Sequence, residues 1–167
     1  VLYGTGPMLV CLDKTAGGKL VWTSEQPNNE FVVSDPLLIQ DQLVALTMTR
    51  GEQGQGLLRL TKFDRDTGEP QEQTNLVRVN DVWWTRRACE VTALDDAILA
   101  TLGGVSVCCD LSGNVRWIRK HVSLPPEEET AWVKQTFERP LVIGDKAYLT
   151  QSGQLYNEAT AAAFGRS

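Results

Sequence analysis

Three times this chain runs a short apolar strand into an acidic turn, and the spacing of the copies restricts what it can fold into. Leu9-Val10-Cys11-Leu12-Asp13 leads to Gly17-Gly18-Lys19-Leu20-Val21-Trp22, and Leu60-Thr61-Lys62-Phe63-Asp64 leads to Asp66-Thr67-Gly68-Glu69. Val105-Ser106-Val107-Cys108-Cys109-Asp110 leads to Ser112-Gly113-Asn114-Val115-Arg116-Trp117. The turn aspartates Asp13, Asp64 and Asp110 stand 51 and then 46 residues apart. That period suits a unit of four short strands and is far too long for a heptad or a helical hairpin.

A second element repeats between the first. Ser34-Asp35-Pro36-Leu37-Leu38-Ile39-Gln40-Asp41-Gln42-Leu43-Val44-Ala45-Leu46 reads as strand, tight acidic turn and strand. The shape returns as Glu138-Arg139-Pro140-Leu141-Val142-Ile143-Gly144-Asp145-Lys146-Ala147-Tyr148-Leu149-Thr150, and more weakly from Val91 to Thr101. Aligning Asp41, Asp96 and Asp145 places Ile39, Leu94 and Ile143 on one register and Leu43, Ile98 and Ala147 on another. An Asp at such a turn hydrogen-bonds nearby amides and tolerates hairpin geometry. Short runs of Val, Leu, Ile and Trp broken every eight to twelve residues by Gly, Asp, Asn or Pro predict an all-β chain. Only Asn157 to Phe164, rich in alanine, suggests a short terminal helix or a disordered tail.

Composition narrows the function classes. With 42% hydrophobic and 22% charged residues over 167 positions, the chain has the make-up of an ordinary folded protein. No apolar run reaches the ~20 residues that cross a bilayer as a helix, and Val1-Leu2-Tyr3-Gly4 lacks the pattern of a signal peptide. A net charge of −5 argues against a general nucleic-acid surface. Trp83-Trp84-Thr85-Arg86-Arg87, where aromatics meet paired arginines, reads as strand-edge packing beside snorkelling arginine stems. Two segments interrupt the repeat: Arg50 to Gly56 lengthens a hairpin with flexible residues, and Leu124 to Thr130 makes a stiff acidic connection.

The Leu-Asp…Thr-Gly…Trp residues resemble the Ala-Leu-Asp-x-x-Thr-Gly-x-x-x-Trp signature of PQQ-like β-propeller repeats. Leu12-Asp13…Gly18-Lys19-Leu20-Val21-Trp22, Phe63 to Glu69 and Cys109 to Trp117 carry the match, and Ser34 to Leu37 looks like the family's preceding hairpin. The family includes quinoprotein alcohol dehydrogenases and the propeller lipoprotein of the bacterial outer-membrane barrel-assembly machinery. The resemblance spans about Pro7 to Thr150. It implies a partial β-propeller of four-stranded antiparallel blades, two full and two half, forming a single segment over 1–167 with an atypical tail at 157–167. It also implies other blades as partners, in the same or another chain, together with a protein partner, a bacterial source and a periplasmic or extracellular location. Asp13, Trp22, Asp64, Thr67, Gly68, Asp110, Gly113 and Trp117 are then structural repeat residues, the glycines allowing positive φ and the tryptophans lying buried between blades. Pro70-Gln71-Glu72 replaces the Trp in the middle repeat, and Asn157-Glu158-Ala159-Thr160-Ala161 replaces the signature after Tyr156.

No residue is assigned to catalysis, to a cofactor or to a metal. Adjacent cysteines border the quinone in PQQ dehydrogenases, but Cys108 and Cys109 align with Cys11-Leu12 and Lys62-Phe63 inside a regular strand, which reads as two core thiols. Asp64-Arg65-Asp66-Thr67-Gly68-Glu69 resembles the start of a calcium loop, yet Asn75 stands where that loop requires Glu. Cys11, Cys89, Cys108 and Cys109 have no metal-site spacing, His121 has no second ligand or nucleophile nearby, and Glu127-Glu128-Glu129 reads as a solvated loop. The expected function is a non-enzymatic scaffold or interaction module, with a fragment of a PQQ-dependent alcohol or sugar dehydrogenase as the alternative.

Overall fold

The computed structural model describes residues 8–25, 30–50, 56–79, 89–102, 105–120, 132–137, 139–149 and 151–156. The loop at 51–55, the cluster at 83–87, His121, the connection at 124–130 and the tail at 157–167 lie outside the described residues. The described residues are strands and turns, without helix, and every strand pair is antiparallel. The expected all-β class is therefore observed.

The chain divides into two compact units, Val1–Trp83 with Leu111–Asn114, and Trp84–Asp110 with Val115–Ser167. In the first, β1 (Val10–Asp13) and β2 (Lys19–Thr23) form a two-stranded sheet. A second sheet contains β3 (Glu30–Val32), β4 (Leu37–Ile39), β5 (Gln42–Arg50), β6 (Gly56–Phe63) and β7 (Pro70–Val79), with β3 and β4 both pairing with β5 as two pieces of one outer strand. The break between the pieces is held by Ser34, whose Oγ accepts from Leu46 N at 2.9 Å, and by Val33 N donating to Leu46 O at 2.9 Å.

In the second unit, β8 (Glu90–Ala93), β9 (Ala97–Leu102), β10 (Val105–Asp110) and β11 (Val115–Lys120) form a four-stranded meander. β12 (Trp132–Phe137) pairs with β15 (Gln151–Tyr156), and β13 (Leu141–Ile143) pairs with β14 (Lys146–Tyr148). Among the described residues these are two separate two-stranded sheets.

The alternation of side chains along each strand sorts the core. Val44, Leu46, Met48, Leu58 and Leu60 are at most 2% exposed, whereas Leu9, Val32, Ala45 and Phe63 make a separate buried cluster with Trp22 and Leu43 against it. Ala97, Leu99 and Cys108 form the corresponding cluster of the second unit, with Leu94 and Val142 on its margin. The hairpins align as expected. Ile39 faces Gln42 across Gln40-Asp41, Ile143 faces Lys146 across Gly144-Asp145, and Leu94 N donates to Ala97 O at 2.8 Å across Asp95-Asp96. Gln40 and Asp41 both adopt positive φ, 49° and 64°, as the tight right-twisting hairpin demands.

Candidate functional site

One construction recurs at the three acidic turns. Counted back from Asp13, Asp64 and Asp110, the ladder shifts register at the same place each time, between Cys11 and Leu12, Lys62 and Phe63, and Cys108 and Cys109. Leu12, Phe63 and Cys109 then face Leu20, Pro70 and Val115, each lying two residues beyond a turn glycine. Those glycines, Gly18, Gly68 and Gly113, have φ of 82°, 77° and 84°, a left-handed backbone closed to most other residues. The turn itself shortens by one residue from copy to copy, because the Gly follows the Asp by five, four and then three positions. Bulge, glycine and facing residue stay fixed while the acidic segment varies.

Asp13 and Asp64 each stabilise their own turn. Asp13 Oδ1 accepts from Thr15 Oγ1 at 2.7 Å, Thr15 N at 2.8 Å and Ala16 N at 3.1 Å, while Asp64 Oδ1 accepts from Asp66 N at 2.9 Å and Thr67 N at 2.8 Å. Thr67 also receives Glu69 N on its hydroxyl at 3.3 Å. The Thr15 hydroxyl, helped by the two amides, holds the Asp13 carboxyl below its usual value, and the amides of Thr67 and Asp66 do the same for Asp64.

Two of the hairpin aspartates, Asp41 and Asp96, lie at the same ends of the sheets as these turns and are each paired with an arginine. Arg65 pairs with Asp41, and Arg116 reaches Asp96 Oδ2 at 2.7 Å and Oδ1 at 3.1 Å, lowering the Asp96 carboxyl through that contact. Asp13, Asp64 and Asp96 are thus stronger acids folded than unfolded. Their contribution to stability is complete above the ordinary carboxylate value of 3.8 and disappears as pH falls through the lower folded values. The melting temperature should hold from neutrality to about pH 5 and then decline. Asp13→Asn, which keeps the Oδ1 acceptor but cannot titrate, should make the acid limb shallower in thermal scans across pH.

The tryptophan position is used in two ways. Cys11 faces Trp22, Lys62 faces Glu72 and Cys108 faces Trp117, so the three residues occupy one place in the repeat. Trp22 lies over the Asp64 turn, its Nε1 donating to Arg65 O at 3.1 Å, and a Cβ added at Gly68 would run into its ring. Glu72, lacking such a ring, pairs instead with Lys62 Nζ at 2.6 Å. Two residues on, Thr74 fills the space against the Leu111–Asn114 turn, where a Cβ on Gly113 would stand 2.5 Å from Thr74 Cβ. Trp117 departs from the expectation of burial: it is 44% exposed. The sequence motif places Trp117 on the right strand, but what covers a ring is decided by the neighbouring sheet.

Cys108 and Cys109, adjacent on an extended strand, face Leu99 and Ile98 and point to opposite sides of the sheet. All four cysteines are free. Burial pushes the thiols of Cys89 and Cys109 up to about 12 and raises that of Cys108, which disfavours the reactive thiolate. An aromatic disulfide reagent should therefore titrate Cys11 ahead of the other three in native protein and all four in denaturant. Rapid modification of Cys109 would contradict this burial.

A buried polar row escapes the motif-based reading. Glu30 Oε1 accepts from Thr47 Oγ1 at 2.7 Å and Gln73 Nε2 at 3.0 Å, Arg59 Nη1 stands 3.6 Å from Oε2, and the hydroxyls of Thr47 and Thr61 meet at 2.6 Å. The row crosses β3, β5, β6 and β7. Its carboxylate is satisfied by the sheet that buries it, which makes it a register lock. The available signal was Thr47 and Thr61, polar residues beside the buried Leu46, Met48 and Leu60. Among the described residues, no three His, Cys, Asp or Glu side chains gather as a metal site, and no helix is long and apolar enough to cross a membrane.

No family model, curated protein or solved structure matches the chain.

Proposed function

We propose that this chain is a segment of a PQQ-like β-propeller whose sheets are blades, and that it acts as a non-enzymatic protein-interaction scaffold in a bacterial envelope or extracellular assembly. The observation that carries the reading is the recurrence of one bulge, one left-handed glycine and one facing position at Asp13, Asp64 and Asp110. The strands around the three turns differ in composition, so the shared element is geometric, as repeated blades require. Trp22 over the Gly68 turn supplies the contact by which one blade docks on the next.

The scaffold role rests on how the charged groups are used. Asp13 and Asp64 are occupied by their turns, Asp96 by Arg116 and Glu30 by its polar row. A fold of this kind presents its variable turns to a partner and leaves the rigid sheets to position them. The adjacent cysteines, on opposite sides of β10, are poorly placed to form a joint rim to a quinone.

Purified protein incubated with PQQ and Ca2+ and then freed of unbound quinone is expected to carry no quinone absorbance and to reduce no dye with alcohols or sugars. Stoichiometric quinone with dye reduction would overturn the scaffold reading in favour of a dehydrogenase fragment.

A further inference from the structure

The outermost strand of the second unit's meander carries an edge of one charge. Among the described residues β11 pairs only with β10, and its sequence, Val115-Arg116-Trp117-Ile118-Arg119-Lys120, holds three bases and no acid. Beyond the register shift between Cys108 and Cys109 the ladder is regular: Trp117, Ile118, Arg119 and Lys120 face Cys108, Val107, Ser106 and Val105 in turn. A regular stretch at the edge of a sheet presents backbone N–H and C=O groups along its outer side. Val115, Trp117 and Ile118 are 37%, 44% and 45% exposed, and because successive side chains alternate, both faces of the strand reach water.

β7 stands at the corresponding edge of its own sheet and is built differently. Its ladder with β6 shifts register twice, and Gln71, Glu72, Gln73 and Asn75 are its exposed side chains over that stretch. Bulges and polar side chains of this kind blunt an edge against further pairing. β11 keeps four unbroken pairs with exposed Trp117 and Ile118 among them. Of its cations, Arg116 is held by Asp96, whereas no acid among the described residues pairs with Arg119.

We propose that the outer edge of β11 binds an extended acidic peptide segment of a partner protein as an additional strand. The charge of the edge selects this occupant. A second copy of β11 would set arginine and lysine against arginine and lysine, whereas an acidic strand sets carboxylates beside Arg119; opposite charges stabilise a ladder and like charges oppose it. Main-chain hydrogen bonds supply the affinity, and Trp117 and Ile118, on opposite faces, give apolar contact to alternate side chains of the added strand. This names a partner class for the interaction module proposed above and rests on that reading.

Fluorescence anisotropy with a fluorescein-labelled octapeptide of alternating glutamate and valine tests this on the whole chain. The peptide should bind saturably, one per chain, and a lysine–valine peptide of the same length should bind about tenfold more weakly. Arg119→Glu should weaken binding of the acidic peptide by about tenfold, and Arg119→Ala by less. Circular dichroism melts check that both variants fold, and Arg119→Ala carries the test if Arg119→Glu does not. Methylating the backbone amides of the peptide should abolish binding, and amide hydrogen exchange in the complex should slow along Val115–Lys120 but not along Pro70–Val79. No saturable binding of the acidic peptide, Arg119 variants that bind as wild type does, equal binding of the methylated peptide, or protection that spares β11 would overturn the proposal. Failure here in protein that takes up no quinone overturns the β11 site alone, whereas stoichiometric quinone with dye reduction overturns the scaffold reading.

Discussion

Gly68→Ala is expected to destabilise the protein by ~3 to 4 kcal/mol in urea unfolding, although it adds a single methyl group. Two costs combine. At φ 77° an L-residue carries a backbone penalty of about 1 to 2 kcal/mol. The new Cβ also falls where the Trp22 ring now lies, so the ring must leave its contact with the turn and give up a share of the ~3 to 5 kcal/mol that removing a packed tryptophan costs. Gly18→Ala is the matched control. Its φ of 82° imposes the same backbone penalty, but its Cβ meets open space, so the loss should stay near 1 to 2 kcal/mol. Equal losses at the two glycines would mean that the tryptophan contributes nothing through this contact.

Phe63→Ala should cost ~3 to 5 kcal/mol, because the ring is 1% exposed in the cluster of Leu9, Val32 and Ala45 and its removal leaves a cavity those neighbours cannot fully close. Leu12→Ala removes the residue in the same place of the repeat. At 56% exposure its loss should be within about 0.5 kcal/mol in monomeric protein. The pair separates repeat position from environment, and chemical denaturation of both variants at low protein concentration reads the difference. A large loss at Leu12 under those conditions would show that the β1 and β2 face is covered within one molecule.

The sequence carried the spacing of the turns, the hairpin registers and the location of each turn glycine, because these depend on residues close together in the chain. Asp13, Asp64 and Asp110 were legible for that reason, as was the alignment of Ile39 with Ile143. The bulge was not legible. It lies between Cys11 and Leu12, Lys62 and Phe63, and Cys108 and Cys109, residues with no common chemistry, and exists only as a relation between two paired strands. Nor were the arginine ties foreseeable, since Arg65 belongs to a turn and Arg116 to a strand, yet both reach the aspartate of a preceding hairpin.

Glu30 was hidden by the same limit. Its hydrogen bond to Gln73 spans 43 residues, and nothing in its immediate neighbours marks it as buried. Trp117 shows the converse. The local motif there matches that of Trp22, but the exposure of the ring depends on a surface that the motif does not contain.

The central claim is that Trp22 and the Gly68 turn form a docking contact between successive sheets, and a double-mutant cycle of Trp22→Ala and Gly68→Ala in urea unfolding tests it most directly. With the ring already gone, Gly68→Ala should cost only its backbone penalty, so the two losses should fall short of additivity by ~2 kcal/mol. Additivity within about 0.5 kcal/mol would contradict the account.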